Sequence, residues 1–128
     1  NNRSAQFRLP QNRYCIENRA ADLTMNVYLA LGMTITAAVD GIKNKIDPGK
    51  PSDIDLYALS DEDFKKLGIR RLPRNLLQAV EALKNDKIAE KVLGGIMLNS
   101  YVKYKNDEWE RYHQAVTDWE IKEYLRLY

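Results

Sequence analysis

The periodicity of the chain changes once, near residue 20, and that change limits the fold more than any other feature. Before it, apolar and polar residues alternate. Within residues 4–9, Ala5, Phe7 and Leu9 share one face, while Gln6 and Arg8 share the other. Residues 14–19 alternate again, with Tyr14, Ile16 and Asn18 on one face and Cys15, Glu17 and Arg19 on the other. A period of two is that of an extended strand. Between the two stretches, Pro10, Gln11 and Asn12 are turn formers. The pattern predicts an antiparallel hairpin. A loop over 10–13 sets Arg8 opposite Cys15 and Gln6 opposite Glu17. A one-residue slip would break that match, but the charged face of the second strand survives in either register.

After the change the spacing is helical. Asp22 or Thr24 is a candidate cap for a helix running to about Lys45. Tyr28, Leu31, Ile35, Ala38 and Ile42 fall at helical spacing, and the stretch is apolar enough for a core helix. Asp47-Pro48-Gly49 is the expected stop. An irregular connection over 46–61 leads to a short helix over 61–66. Pro73 suits the first turn of the next helix, whose buried stripe is Leu76, Leu77, Val80 and Leu83. Asp86 caps a short helix to Leu93, Gly94-Gly95 breaks the chain, and a longer helix carries Met97, Tyr101, Tyr104 and Tyr112. Thr117-Asp118-Trp119-Glu120 has the pattern of a capping box for a last helix that runs to the chain end. The expected fold class is therefore α+β. Residues 1–20 form a short antiparallel strand pair, and 21–128 form a mainly α-helical, bundle-like region.

Composition narrows the function. At 128 residues and 45% hydrophobic, the chain has the size and the apolar content for one domain with a packed core. A net charge of +2 is too small and too mixed to point to a nucleic-acid partner. Cys15 is the one cysteine, so no internal disulfide can form, which fits a reducing compartment and a cytoplasmic location. No apolar run approaches the roughly 20 residues of a membrane span, and no signal peptide is visible. The opening Asn1-Asn2-Arg3-Ser4, without an initiator methionine, is the expected appearance of a piece of a longer protein.

The charges that carry chemistry lie in the first 19 residues. Arg3, Arg8, Arg13 and Arg19 surround Glu17. Guanidinium is planar, always charged and suited to two-point contact with phosphate or carboxylate. A carboxylate among such groups suits Mg²⁺, which takes carboxylates together with substrate phosphates. These are the parts needed to stabilise a transferring phosphoryl group. The plainer alternative is a sheet face with ordinary ion pairs. His113, the one histidine, sits between aromatics on a helix and reads as a packing or surface residue. Cys15 has no histidine near it in sequence to activate it as a nucleophile.

The order of several motifs resembles the glutamine synthetase family. Arg3 in Asn-Arg-Ser, Arg8 in Arg-Leu-Pro, and Ile-Glu-Asn-Arg at 16–19 resemble its arginine-rich active-site segment. Asn26-Val27-Tyr28-Leu29-Ala30 is similar to its Asn-Pro-Tyr-Leu-Ala. The run from Asp40 to Gly49, then Asp55-Leu56-Tyr57-Ala58-Leu59, follows at the expected distance. The tail, with Glu108-Trp109, Tyr112-His113, the run from Val116 to Glu120, and Tyr124-Leu125, resembles the branch holding the type III glutamine synthetases and the gamma-glutamylmethylamide synthetases. The resemblance implies the C-terminal part of a catalytic domain that joins glutamate to ammonia, or to an alkylamine, using ATP and Mg²⁺ or Mn²⁺. It implies catalytic roles for Arg3 and Arg19, nucleotide or phosphate contacts for Arg3, Arg8, Arg13 and Arg19, and a metal-ligand role for Glu17. It implies a homo-oligomeric ring in the whole enzyme, with the isolated piece inactive. The apolar tail residues Trp109, Tyr112, Trp119, Tyr124, Leu127 and Tyr128 are candidates for the ring contact.

Three positions depart from or qualify the family pattern. Cys15 stands where the family usually carries an arginine, and Arg13 is the candidate substitute. A non-catalytic scaffold or sensor is the rival reading that Cys15 supports. Val27 replaces a proline, and Tyr57 sits where some members carry a tyrosine that is adenylylated. An unmodified loop tyrosine is the expectation here.

Overall fold

The structure is a computed structural model that describes residues 2–127. Two short strands, β1 (Phe7–Arg8) and β2 (Glu17–Asn18), precede α1 (Val27–Lys43), a 3₁₀ turn (Leu56–Ala58), α2 (Asp61–Lys66), α3 (Leu76–Lys84), α4 (Lys87–Gln114) and α5 (Asp118–Tyr124). The chain is thus α+β, a short antiparallel pair followed by helices. It divides into two compact units, Asn1–Leu72 and Pro73–Tyr128.

In the first unit, β1 and β2 pair with Phe7 opposite Asn18 and Arg8 opposite Glu17. The Arg19 N–H donates to the Gln6 carbonyl at 2.8 Å, in the same register. Arg8 therefore faces Glu17 and not Cys15, a shift of two residues from the expected register. An even shift keeps every side chain on its face, so the alternation was right and the loop length was not. The loop is longer because Pro10 has no N–H to give a ladder and is buried instead. The Cys15 N–H turns back onto the Arg13 carbonyl at 3.1 Å, which also takes it out of pairing.

The start of α1 lies later than expected. The Asp22 carboxylate accepts from the Thr24 N–H at 2.6 Å and the Thr24 hydroxyl at 2.5 Å, which closes a local turn. The cap is Asn26, whose side-chain Oδ1 accepts from the Tyr28 and Leu29 N–H groups. The end also comes before Asp47-Pro48-Gly49. Ile46 N–H donates to the Gly41 carbonyl and Lys45 N–H to the Ile42 carbonyl, with Lys45 left-handed at φ 51°. That is a Schellman stop with lysine in the place glycine usually takes. No residue of α1 is buried, and no other element packs on it among the described residues. Tyr28, Leu31, Ile35 and Ile42 are all more than half exposed. The expectation of a core helix is corrected on this point: apolar spacing supplies a face, and burial needs a partner.

The second unit holds what core there is. Asn75 caps α3 through the Gln78 N–H, so Pro73 lies in the lead-in, ahead of the helix. Asp86 caps α4. Gly94 interrupts α4 with φ 68° and ψ 161°, the break expected from Gly94-Gly95. Val80 on α3, with Ala89 and Leu98 on either side of that break, are the buried hydrophobic residues. α3 and α4 pack together, while the other helices form no bundle among the described residues. Of the expected α3 stripe, Leu76 and Leu83 are half-buried and Leu77 is exposed. The capping box forms as read: Glu120 N–H donates to Thr117 Oγ1, and Thr117 N–H to Glu120 Oε2 at 2.8 Å. α5 stops at Tyr124, short of the chain end.

Candidate functional site

The hairpin turns a sequence cluster into a spatial one. Because Arg8 and Glu17 are directly opposed across β1 and β2, their side chains leave the same face. Arg8 NH1 donates to both Glu17 oxygens, at 3.0 and 2.9 Å. Arg13, brought back by the loop, also donates to Glu17 Oε1. The Arg8 and Glu17 side chains are 15% and 22% exposed, and that of Arg13 is 61% exposed. Arg8 is thus the half-buried base of the cluster, with Arg13 at its rim.

The electrostatics follow from this geometry. The Arg8 hydrogen bonds, then that of Arg13, hold the Glu17 carboxyl below the ordinary range, against a smaller opposing effect of burial. Glu17 in turn raises the pKa of Arg13, mainly through their hydrogen bond. Two guanidinium groups thus meet one carboxylate. Such a surface can hold a phosphate or carboxylate by charge-assisted bonds.

Arg3 and Arg19 are placed differently. Arg19 follows β2 and is anchored through its backbone to Gln6, while its side chain is exposed. Arg3 is also exposed, ahead of β1. No hydrogen bond or ion pair from either guanidinium is seen among the described residues. The structure thus brings Arg8, Arg13 and Glu17 together, and leaves Arg3 and Arg19 out of that clasp.

Sequence reasoning passed over the two neighbours of Arg3. The Asn2 amide donates to the carbonyls of Ser52 at 2.9 Å and Ile54 at 2.7 Å, some fifty residues away. Its oxygen accepts from the Ser4 N–H at 2.8 Å and the Ser4 hydroxyl at 2.6 Å. The Ser4 hydroxyl accepts from Leu56 N–H at 2.9 Å. An Asn-x-Ser spacing favours a local side-chain-to-backbone turn, but it carries no sign of the distant partners.

A divalent ion such as Mg²⁺ needs about six oxygen ligands. Among the described residues no three carboxylate, histidine or cysteine side chains converge, and both Glu17 oxygens already face guanidinium groups. The described residues do not by themselves form a metal centre. Cys15 is an exposed free thiol. Tyr57 lies on the 3₁₀ turn and is 83% exposed.

The apolar tail residues of the second unit do not make a core. Tyr112, Trp119, Tyr124 and Leu127 are all more than half exposed, while Trp109 is half-buried. Trp109 stacks on His113 with ring centroids 4.0 Å apart, which accounts for the histidine as a packing residue. Trp119 meets Tyr124 edge-on at 5.8 Å. Tyr128 lies outside the described residues. No helix among the described residues is long and apolar enough to cross a membrane.

Comparison with known proteins gives these features a context. The family described as glutamine synthetase, catalytic domain, matches residues 1–124. A glutamine synthetase of Methanosarcina mazei is 38% identical over 98% of this chain and 29% of its own length. One from Methanocaldococcus jannaschii is 40% identical over 97% of this chain and 28% of its own. A glutamate–methylamine ligase of Methyloversatilis universalis is 38% identical over all of this chain and 28% of its own length. The chain thus spans less than a third of the length of these relatives.

Proposed function

Because the chain belongs to the glutamine synthetase catalytic-domain family, we propose that it supplies the arginine-rich part of the phosphoryl-transfer site of an ATP-dependent ligase. In this reading it is the C-terminal portion of the catalytic domain. The reaction joins ammonia to the γ-carboxylate of glutamate. A carboxylate oxygen attacks the terminal phosphorus of ATP and ADP leaves. Ammonia then attacks the acyl carbon of γ-glutamyl phosphate, a proton is lost, and phosphate departs.

The observation that carries the reading is the clasp: Arg8 and Arg13 converge on Glu17 in a segment that also presents the Arg3 and Arg19 guanidinium groups. Arg3 and Arg19 serve as the catalytic cations at the transferring group and the reacting carboxylate. Arg8 and Arg13 line the nucleotide side. Each role sets fixed positive charge where negative charge builds up. A Mg²⁺ or Mn²⁺ ion, when held in the whole enzyme, would supply charge neutralisation at the phosphates. Glu17 is proposed as one ligand in the whole enzyme, the others coming from outside this chain. The exposed face of α1 is then covered by the rest of the domain. The enzyme works in the cytoplasm as a homo-oligomeric ring.

A second amine has support. The methylamine ligase is as similar to this chain as the archaeal synthetases are, so methylamine is the alternative acceptor. A non-catalytic scaffold or sensor would rest on Cys15. Arg13 reaches Glu17 and offers a guanidinium on that side of the site, which favours the catalytic reading.

The test is phosphate release by the full-length enzyme with glutamate and ATP, comparing kcat/KM for ammonia and methylamine. The isolated chain is expected to release none above a Glu17→Ala control. No amine-dependent turnover in the full-length protein would overturn the reading, as would turnover by the isolated chain.

A further inference from the structure

Arg3 sits in a stretch with no regular secondary structure, between the chain start and β1. Nothing in the helical or strand ladders fixes its backbone. Yet a charge-stabilising group must be held to within a fraction of an ångström to be effective. The structure offers one device that does this.

Asn2 has two amide hydrogens and an oxygen with two lone pairs, and all four are used. The hydrogens go to the Ser52 and Ile54 carbonyls, and the oxygen takes the Ser4 N–H and hydroxyl. The orientation of the amide is set by this network, since a flip would aim its oxygen at two carbonyls. The Ser4 hydroxyl closes the circuit by accepting from Leu56 N–H. Residues on both sides of Arg3 are thereby tied to the 52–56 segment, which is itself ordered by Asp55 accepting from the Tyr57 N–H at 3.0 Å. Both Asn2 and Ser4 are half-buried, while Arg3 between them is exposed. The clasp holds the base of the side chain and leaves the guanidinium free to act.

We propose that Asn2 and Ser4 are the positioning residues of Arg3, clamping its backbone to the 52–56 segment so that its guanidinium meets the reacting phosphoryl group in one geometry. The inference rests on the reading of Arg3 as a catalytic residue. In this role Asn2 and Ser4 act through Arg3, their own polar groups being taken up by the 52–56 segment and by each other. Asn2→Asp is the sharp perturbation: it keeps the shape and the acceptors for Ser4, but removes both long-range donors and aims a carboxylate at two carbonyl oxygens.

The experiment is steady-state kinetics on the full-length enzyme carrying Asn2→Asp, Ser4→Ala, Ser4→Thr, Arg3→Ala and the Asn2→Asp/Arg3→Ala pair, with thermal unfolding of each. Asn2→Asp and Ser4→Ala are expected to lower kcat by about 10²-fold, with little change in KM for glutamate. Ser4→Thr keeps the hydroxyl and is expected to retain most activity. The double variant is expected to be no worse than Arg3→Ala alone, since a residue acting through Arg3 has nothing left to position. If Arg3→Ala is damaging and Asn2→Asp costs the same factor with or without Arg3, the positioning role is wrong and Asn2 acts through general stability. If Arg3→Ala itself leaves kcat unchanged, the catalytic reading of Arg3 fails, and the positioning inference with it. If Asn2→Asp does not fold, the decision passes to Ser4→Ala against Ser4→Thr, where equal activity overturns the proposal.

Discussion

Replacing Gly94 and, separately, Gly95 by alanine should have opposite effects on stability. Gly94 has φ 68° and ψ 161°, while Gly95 beside it is helical. The conformation of Gly94 is essentially closed to residues with a Cβ, and forcing one into it costs about 1–3 kcal/mol. At neither glycine would a Cβ meet another atom within 4 Å, so the effect is one of backbone preference and not of collision. Gly95→Ala, in the first turn after the break, gains up to about 1 kcal/mol. The two variants should therefore differ by about 1–4 kcal/mol. Gly94→Ala has one escape, which is to straighten α4, and the core blocks it. Ala89 and Leu98 are the buried residues of α4. On a straight helix nine residues span about two and a half turns, which would put the two on opposite faces. α3 is the element that α4 packs against among the described residues, and a straight α4 could present only one of them to it. Turning Leu98 out would forfeit about 1.5–3 kcal/mol of burial. Both routes lose stability. Urea unfolding of the isolated chain, followed by far-ultraviolet circular dichroism, measures the difference. Equal midpoints for the two variants, or a Gly94→Ala protein more stable than the parent, would refute the argument.

In the full-length enzyme, Glu17→Gln should lower turnover by about 10²-fold or more, and near-normal kcat at saturating Mg²⁺ would remove Glu17 as a ligand. Arg19→Lys keeps the charge but not the planar two-point grip, so a clear fall in kcat is expected; equal activity would mean Arg19 acts only by long-range charge. Because the folded-state pKa of Glu17 is depressed, its contribution to the hairpin is present above the ordinary carboxylate range and lost only as pH falls through the lowered value. An NMR titration of the Glu17 carboxyl carbon should give a midpoint below about 4.3, and one at or above that would contradict the clasp. Deleting residues 118–128 from the full-length enzyme should break the ring while leaving a folded subunit, as read by size-exclusion chromatography with light scattering. An intact ring, or a subunit that no longer folds, would count against a contact role for the tail.

The local structure was determined by residue chemistry that needs no distant partner. The alternation in 4–9 and 14–19, the break at Gly94, the capping box at Thr117 and the helix over 61–66 all follow from neighbours within a few positions. The arginine-rich segment was legible in the same way as a cluster of charges on and beside two short strands. What the sequence left open depended on competition between local options or on distance. Asp22 and Thr24 looked like caps but bonded to each other, which passed the helix start to Asn26. The hairpin register is decided by where Arg8 finds a carboxylate and where Pro10 cannot pair, so two even registers with identical faces could not be told apart beforehand. Whether α1 is a core helix is a matter of what covers it, which a spacing pattern does not contain. The clasp from Asn2 and Ser4 onto Ser52, Ile54 and Leu56 is the clearest case. Its donors and acceptors are mostly backbone groups common to every residue, so only the folded chain, by bringing segments some fifty residues apart within hydrogen-bonding reach, selects which of them meet.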